Sequence, residues 1–204
     1  MRTLGLTFLL CLACAPLLAS ENADADYQAL LDSFNAKKHS EALGQSEAFI
    51  KEHPGHKFLS GALYMGGNAG LAAKEYDRAE PLYRKLIADF PEHKNTPRAR
   101  DELVSVLRDA RKLEACLLLL NENLKALPKD SRADRWTYLR GECLFRLWRF
   151  DDARKELEAF KRAWPGSSFT RSADRYLADI DPAWSVDANG VVDDYRNQRW
   201  SQLE

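Results

Sequence analysis

Four prolines recur along this chain at a constant spacing. Each lies 37 residues after the one before: Pro54, Pro91, Pro128 and Pro165. Twelve residues before each proline there is a small side chain: Ala42, Ala79, Cys116 and Ala153. A period of this length is typical of one supersecondary unit that stacks several times, because a single unit cannot bury its apolar face alone. The spacing therefore predicts a repeat protein, a class that presents surfaces to partners.

Every repeat contains two amphipathic patterns, which we name helix A and helix B. In the second repeat, apolar side chains fall three and four residues apart within 59–73 (helix A) and 76–90 (helix B). These spacings are helical and leave no room for strands. Helix B should end just before its proline, because the residue that precedes a proline is displaced from helical geometry. The sequence thus predicts an all-α fold.

The repeats divide the chain into three parts. We expect a signal peptide at 1–19, a repeat domain at 20–180 and a tail at 181–204. The domain should hold repeats at about 24–56, 57–93, 94–130 and 131–167, with a fifth helix A at 168–180 that caps them. In the tail, Asn189-Gly190 is typical of a hairpin turn, and a short helical stretch follows it.

The first residues have the pattern of a secretory signal peptide. A basic start at Arg2 is followed by an apolar run from Leu4 to Leu18, and the sequence turns polar at Ser20. Cleavage is expected after Ala19, which would place the protein in the periplasm or elsewhere outside the cytoplasm. In the alternative interpretation, Leu12-Ala13-Cys14 is a lipoprotein signal, and the protein associates with a membrane only if Cys14 is lipidated.

Small residues recur where the two helices of a repeat should meet. Gly67 and Gly141 lie in helix A, and Ala79 and Ala153 lie in helix B. Such residues allow close helix packing, so a large side chain at Ala79 or Ala153 should cost about 1–3 kcal/mol. The cysteines after the signal peptide, Cys116 and Cys143, also occupy slots that hold Ala in other repeats. They are expected to be small buried residues, and a disulfide between them is the alternative.

The second and fourth repeats resemble the tetratricopeptide repeat (TPR). The matching residues are Gly67-Asn68-Ala69, Tyr76-Asp77-Arg78-Ala79, Tyr83 and Pro91, then Gly141, Phe150-Asp151-Asp152-Ala153, Leu157 and Pro165. The resemblance implies a right-handed α-solenoid of four TPR-like helix pairs, a C-terminal capping helix and a short irregular tail. The period is three residues longer than the commonest form of the repeat, and this longer form is similar to the repeats of exported envelope proteins of the BamD and CpoB (YbgF) type.

Few residues suggest catalysis. His56 and His93 occupy equivalent inter-repeat turns, which should lie about 10 Å apart, too far for one metal ion. Asp151 and Asp152 are adjacent in a helix and therefore point in different directions. The sequence shows no phosphate-binding glycine loop and no nucleophile with a matched histidine. We therefore predict no enzymatic activity, no catalytic residues, no metal site and no cofactor.

The TPR resemblance implies a binding surface on the concave side, formed by one face of the A helices. Offsets of four and three residues keep the selected positions on one helical face. The predicted partner-binding residues are Tyr27, Phe34, Tyr64, Asn68, Leu71, Asp101, Arg108, Tyr138, Glu142 and Phe145. Aromatic residues in register with polar ones suit an extended or helical peptide. In the alternative interpretation, the aromatic residues pack only between neighbouring A helices.

Two functions follow from this sequence. The first is an exported, non-enzymatic adaptor that binds a protein or peptide of the bacterial envelope through the helix-A face. The alternative is a structural spacer in an envelope assembly that contacts partners through its tail or its convex surface. Residues 97–175 carry 18 basic and 13 acidic side chains, whereas residues 176–204 carry 2 and 6. This field is too mild to indicate nucleic-acid binding, but it would allow the acidic tail to cover the basic middle of the chain.

Overall fold

The computed structural model describes the backbone of residues 15–180 and the side chains of residues 22–180. Within this part of the chain, nine helices are present and no strand. They are α1 (Ala15–Asn35), α2 (His39–Glu52), α3 (Leu59–Ala72), α4 (Tyr76–Asp89), α5 (Thr96–Asp109), α6 (Leu113–Ala126), α7 (Ala133–Arg146), α8 (Phe150–Ala163) and α9 (Thr170–Asp179). The predicted all-α fold class is confirmed.

The 37-residue period of the sequence is reproduced in the helix bounds. The B helices α2, α4, α6 and α8 each contain 14 residues and begin 37 residues apart. The A helices α3, α5 and α7 follow the same rule, and α9 begins in the same register. Each B helix ends two residues before its proline, so prolines act as the predicted stop signals.

The turn between helix A and helix B has the same backbone geometry in every repeat. Its left-handed residues lie 37 positions apart, with φ near +60°: Lys37, Lys74, Arg111 and Trp148. At Lys74 the turn closes with two backbone hydrogen bonds, from Lys74 N–H to Leu71 C=O and from Glu75 N–H to Gly70 C=O. This pairing is a Schellman motif, in which glycine is the usual left-handed residue. A non-glycine residue therefore carries some backbone strain in each copy.

The turn between helix B and the next helix A is also repeated, and one polar residue caps it. The caps lie in register: His56, His93, Asp130 and Ser167. Each accepts a hydrogen bond from the backbone N–H two residues later, at 2.9–3.3 Å. The expectation that His56 and His93 are turn residues is thus confirmed. The Thr96 hydroxyl bonds backward across the same turn, because it donates to the Phe90 carbonyl oxygen, at 2.6 Å.

The chain folds into two compact units. Unit 1 contains α1 to α5 and ends at Ala110, and unit 2 begins at Arg111 and contains α6 to α9. The small residues at the helix contacts are buried as predicted. Among them, Ala42, Ala79, Cys116 and Ala153 are fully buried, and Gly67 and Gly141 are buried as well. None of the helices described in residues 15–180 is long and apolar enough to cross a bilayer.

Close packing explains why glycine recurs in helix A. A Cβ atom on Gly67 would lie 2.7 Å from the ring of Tyr83, and one on Gly141 would lie 2.5 Å from a methyl group of Leu157. Both distances are well below an ordinary contact, so helix B packs directly against the backbone of helix A.

Several predictions concern parts of the chain that the structure does not describe. The signal-peptide residues before position 15, Cys14 among them, and the tail from residue 181 onwards are outside the described residues. The cleavage site, lipidation and the tail hairpin therefore stay predictions.

Candidate partner-binding surfaces

The three A helices of unit 1 lie side by side, with α1 against α3 and α3 against α5. Residues in register on these helices therefore share one surface, which we call the unit 1 A-face. Its predicted binding residues are Tyr27 and Phe34 on α1, Tyr64, Asn68 and Leu71 on α3, and Asp101 and Arg108 on α5. All except Tyr64 are partly exposed. The structure thus brings seven of the ten predicted residues together within one unit.

The two tyrosines of the unit 1 A-face are held by packing against neighbouring helices. Tyr64 is only 9% exposed. The ring of Tyr27 stacks on Phe58, with centroids 4.5 Å apart, and also contacts Phe49. Burial raises the pKa of the Tyr27 hydroxyl above its ordinary value. A partner would therefore contact the exposed edges of these rings, while the rings stabilise the helix stack.

Asn68 links the unit 1 A-face to the core. The buried Tyr83 hydroxyl donates a hydrogen bond to Asn68 Oδ1, at 2.6 Å. Burial raises the pKa of Tyr83 far above its ordinary value, so the hydroxyl remains a donor. This bond orients the Asn68 amide and leaves its NH₂ group to point away from the phenol. The side chain is therefore preorganised, an advantage for recognition of a carbonyl group.

Near the C-terminal ends of α1, α3 and α5, the unit 1 A-face combines apolar and charged groups. Phe34 and Leu71 are half-buried, and the guanidinium of Arg108 lies 2.9 Å from the Asp109 carboxylate. The hydroxyl of Ser105, in register with Asn68, points back to the Asp101 carbonyl oxygen at 3.5 Å. An apolar patch beside a charged rim is the usual composition of a peptide-binding surface.

Unit 2 carries the other three predicted residues on α7, and they pack against α9 and its preceding turn. Tyr138 is 7% exposed and stacks on Phe169, with ring centroids 5.1 Å apart. Phe145 lies against Tyr176, at 4.8 Å. In unit 2 the capping helix α9 therefore covers much of the predicted surface. This agrees with the alternative interpretation that Tyr138 only packs between neighbouring helices.

Glu142 is the most buried carboxylate among the predicted binding residues. It is 5% exposed, and Arg146 pairs with it at 2.8 Å, one helical turn along α7. Burial first, and then the negative charge of Glu142, raise the pKa values of Tyr138 and Tyr176 above their ordinary value. Both phenols are therefore neutral hydrogen-bonding groups at physiological pH.

The family is decided by a comparison with known sequence families. The model of the tetratricopeptide repeat-like domain matches residues 18–174, most of the chain. The chain belongs to this family. No curated protein sequence matches it.

Solved structures of TPR proteins have the same fold as this TPR-like chain. A tetratricopeptide repeat protein from Parabacteroides merdae superposes with a TM-score of 0.64 and 13% identity, over 81% of this chain and 62% of its own. MamA from AMB-1 superposes with a TM-score of 0.56 and 18% identity, over 78% of this chain and 80% of its own. YrrB is described as a TPR protein with an unusual peptide-binding site. It superposes with a TM-score of 0.57 and 16% identity, over 82% of this chain and 81% of its own. This chain therefore covers less than two thirds of the length of the Parabacteroides protein.

The TPR-like unit 2 also has a surface depression that sequence reasoning missed. It has a volume of about 600 Å³ and lies between α6, α7 and the start of α8. Its apolar floor includes Leu117, Leu118 and Leu144, and its rim carries charges of both signs, including Arg140 and Glu156, which pair at 2.5 Å. Leu118 is the one large hydrophobic side chain among the described residues that is exposed, at 62%. The sequence shows only a run of four leucines, 117–120, and the structure shows which of them is exposed.

Cys116 and Cys143, which occupy positions that hold alanine in other repeats, contact each other inside unit 2. The Cys143 thiol lies 3.6 Å from the sulfur of Cys116, and both are buried free thiols. The contact with Cys116, and then burial, raise the pKa of the Cys143 thiol well above its ordinary value. The interpretation as small buried residues is therefore the one that this structure supports.

The first inter-repeat turn of the TPR-like domain places histidines beside carboxylates of α1 and α2. The His53 imidazole lies 2.9 Å from Asp26, and His56 lies 3.5 Å from Asp24. Glu52 lies beside His53, so one nitrogen and two carboxylates approach within 4.8 Å of one another. Sequence reasoning compared only histidines in equivalent turns and therefore missed these carboxylates from α1 and α2.

Proposed function

We propose that this TPR-like protein is an exported, non-enzymatic adaptor that binds a peptide segment of another envelope protein. The unit 1 A-face carries this proposal, because it places partly exposed apolar and polar residues in register on three adjacent helices. TPR domains bind protein or peptide partners, and proteins of this family are typically scaffolds without catalytic activity. YrrB, a neighbour in fold, is described as having a peptide-binding site.

Leu71, Asn68 and Arg108 are the main contacts in this proposal. Leu71 would bury an apolar side chain of the peptide, and the Asn68 amide would donate to its backbone. Arg108 would bind an acidic side chain at the edge. Tyr64 and Tyr138 have a smaller role in this proposal than the sequence indicated, because they are too buried to contact a peptide with more than the edges of their rings.

A matched pair of variants tests the surface. Leu71 on α3 and Ile87 on α4 are both half-buried aliphatic residues of one helix pair, but only Leu71 lies on the A-face. Peptides selected from a random displayed library against the full chain provide the probe. Leu71→Gln should weaken peptide binding at least about tenfold, equal to about 1.4 kcal/mol, whereas Ile87→Gln should leave it nearly unchanged. Equal effects of both changes would contradict the A-face.

The envelope location is a further part of the proposal. It rests on the signal-peptide pattern and on the similarity of the 37-residue repeat to BamD-type and CpoB-type repeats. Mass spectrometry of the protein purified from its native host should find an N-terminus at Ser20. A lipidated Cys14 at the N-terminus would instead support the membrane-associated form, and an intact Met1 would contradict export.

The exposed Leu118 favours a second function, the structural spacer. Leu118, 62% exposed on helix B, forms one apolar patch together with Leu117 and Leu144 of the depression, and such a patch is where a partner would dock. If Leu118→Gln abolishes assembly with the native partner while Leu71→Gln does not, the spacer replaces the adaptor.

A further inference from the structure

We propose that Asp26, Glu52 and His53 form a binding site for a divalent transition-metal ion of the Zn²⁺ class. Asp26 lies on α1, Glu52 is the last residue of α2 and His53 follows it, and one ligand atom of each side chain lies within 4.8 Å of the other two. His53 Nε2 and Asp26 Oδ2 are already 2.9 Å apart. Small side-chain rotations would bring all three atoms to the distance of about 2.0–2.2 Å at which zinc binds nitrogen and oxygen.

Pro54 explains why two consecutive residues can serve one ion. Neighbouring side chains within a helix diverge by about 100°, so Glu52 and His53 would not converge in a regular helix. His53 has left the helix, however, with φ −126° and ψ 52°. The following proline disfavours helical geometry at His53, and the imidazole of His53 approaches Asp26 of α1.

The imidazole is held in position before any ion arrives. The His53 side chain is 14% exposed, and its ring packs on the buried Phe49 with centroids 5.0 Å apart. Asp26 is 45% exposed, and Glu52 is exposed. One ordered ligand beside two solvated carboxylates leaves room for water to complete the coordination.

The three later repeats do not repeat this combination. The residues in register with His53 are Phe90, Leu127 and Trp164, all apolar. Those in register with Asp26 are Leu63, Arg100 and Thr137. The first repeat thus has a histidine and a carboxylate where the second has Phe90 and Leu63. An apolar pair would stabilise the stack equally well, so packing does not account for the polar pair.

The donor set selects the class of ion. Two carboxylate oxygens and one imidazole nitrogen suit Zn²⁺ and its neighbours in the first transition series. Ca²⁺ and Mg²⁺ prefer oxygen-only ligand sets. Bound here, the ion would connect α1 to the end of α2, and so stabilise the first helix of the described chain against separation from unit 1.

Zinc titration of the full chain, purified without a polyhistidine tag, tests the site by calorimetry. We expect one Zn²⁺ per chain and a rise in the melting temperature that grows with zinc concentration. His53→Gln and Asp26→Asn should each reduce zinc affinity at least about tenfold, because loss of an outer-shell partner alone costs about 10–100-fold. Circular dichroism would confirm that both variants keep their helices.

Two matched variants exclude less specific explanations. Asp24→Asn removes the same charge two residues away from Asp26 but outside the ligand set, and His93→Gln removes the histidine in register with His56. Both should retain wild-type zinc affinity and the same shift in melting temperature. The absence of zinc binding, or equal binding by wild type, His53→Gln and Asp26→Asn, would overturn the proposal and leave only a hydrogen-bonded contact between His53 and Asp26.

Discussion

The helix pairs α3/α4 and α7/α8 occupy the same register, 74 residues apart, but fill their interiors differently. In the first pair, Gly67 and Gly70 expose the α3 backbone to Tyr83 and Ala79 of helix B. In the second pair, Gly141 faces the smaller Leu157, and Leu144 stands in the register of Gly70. Helix A of that pair also contributes the fully buried Trp136, where α3 has Ala62.

This comparison shows that the repeat determines the backbone path, while the bulk of the core is distributed differently in each copy. A large side chain on one helix is matched by a small one on the other, since interiors are packed to constant density. Equivalent positions should therefore respond differently to the same substitution.

The largest expected difference concerns the two equivalent glycines. Gly67→Ala should lower the free energy of unfolding by about 2 kcal/mol, because the new Cβ meets the ring of Tyr83, which its hydrogen bond to Asn68 holds in place. Gly141→Ala should cost less than about 1 kcal/mol, because a leucine side chain adjusts more easily and alanine favours the helix. Urea denaturation measures both. A larger loss at Gly141 would show that the aromatic contact is not the more rigid one.

A difference of opposite sign is expected in the left-handed turn position. Lys74 is exposed, so Lys74→Gly should stabilise unit 1 by up to about 1 kcal/mol through relief of backbone strain. Trp148→Gly relieves the same strain but also removes the ring that packs on Phe150, at 5.7 Å. We expect it to destabilise unit 2 by about 1 kcal/mol. Thermal unfolding of both variants distinguishes the two contributions, and a shift in the same direction would mean that strain dominates both turns.

The smallest effect is expected in the turns that precede the two pairs, where His56 and Asp130 occupy the same position. The hydrogen bonds from Arg132, together with its charge, hold the pKa of Asp130 below its ordinary value of 3.8. A lowered pKa stabilises the fold above the unfolded-state value, and this contribution disappears as the pH falls through the folded-state value.

Asp130→Ser, which retains the capping group seen at Ser167, should therefore be less stable than wild type near neutral pH by under about 1 kcal/mol. The difference should shrink toward pH 3 in denaturation experiments at several pH values. A difference that does not change with pH would show that the cap, rather than the charge, is responsible.

Much of the fold followed from local signals. The bounds of helix B were predictable from the prolines, and the tight A–B contacts from Gly67 and Ala79. The hydrogen bond from the Thr96 hydroxyl back to the Phe90 carbonyl was not predictable, because nothing local in the sequence indicates it. The role of Tyr138 stayed open for a similar reason: a tyrosine in register predicts a helix face, but the turn before α9 and α9 itself cover that face in unit 2.

The sequence by itself determined the helical bounds and the turns, because these depend on residues within one or two helical turns of one another. The recurrence of these local patterns every 37 residues then determined the period and the family. Only the tertiary structure decided which distant side chains meet. Tyr83 with Asn68, Cys116 with Cys143, and Asp26 with His53 are separated by 15, 27 and 27 residues. Such contacts depend on how two helices rotate as they pack, and periodicity alone leaves that rotation undetermined.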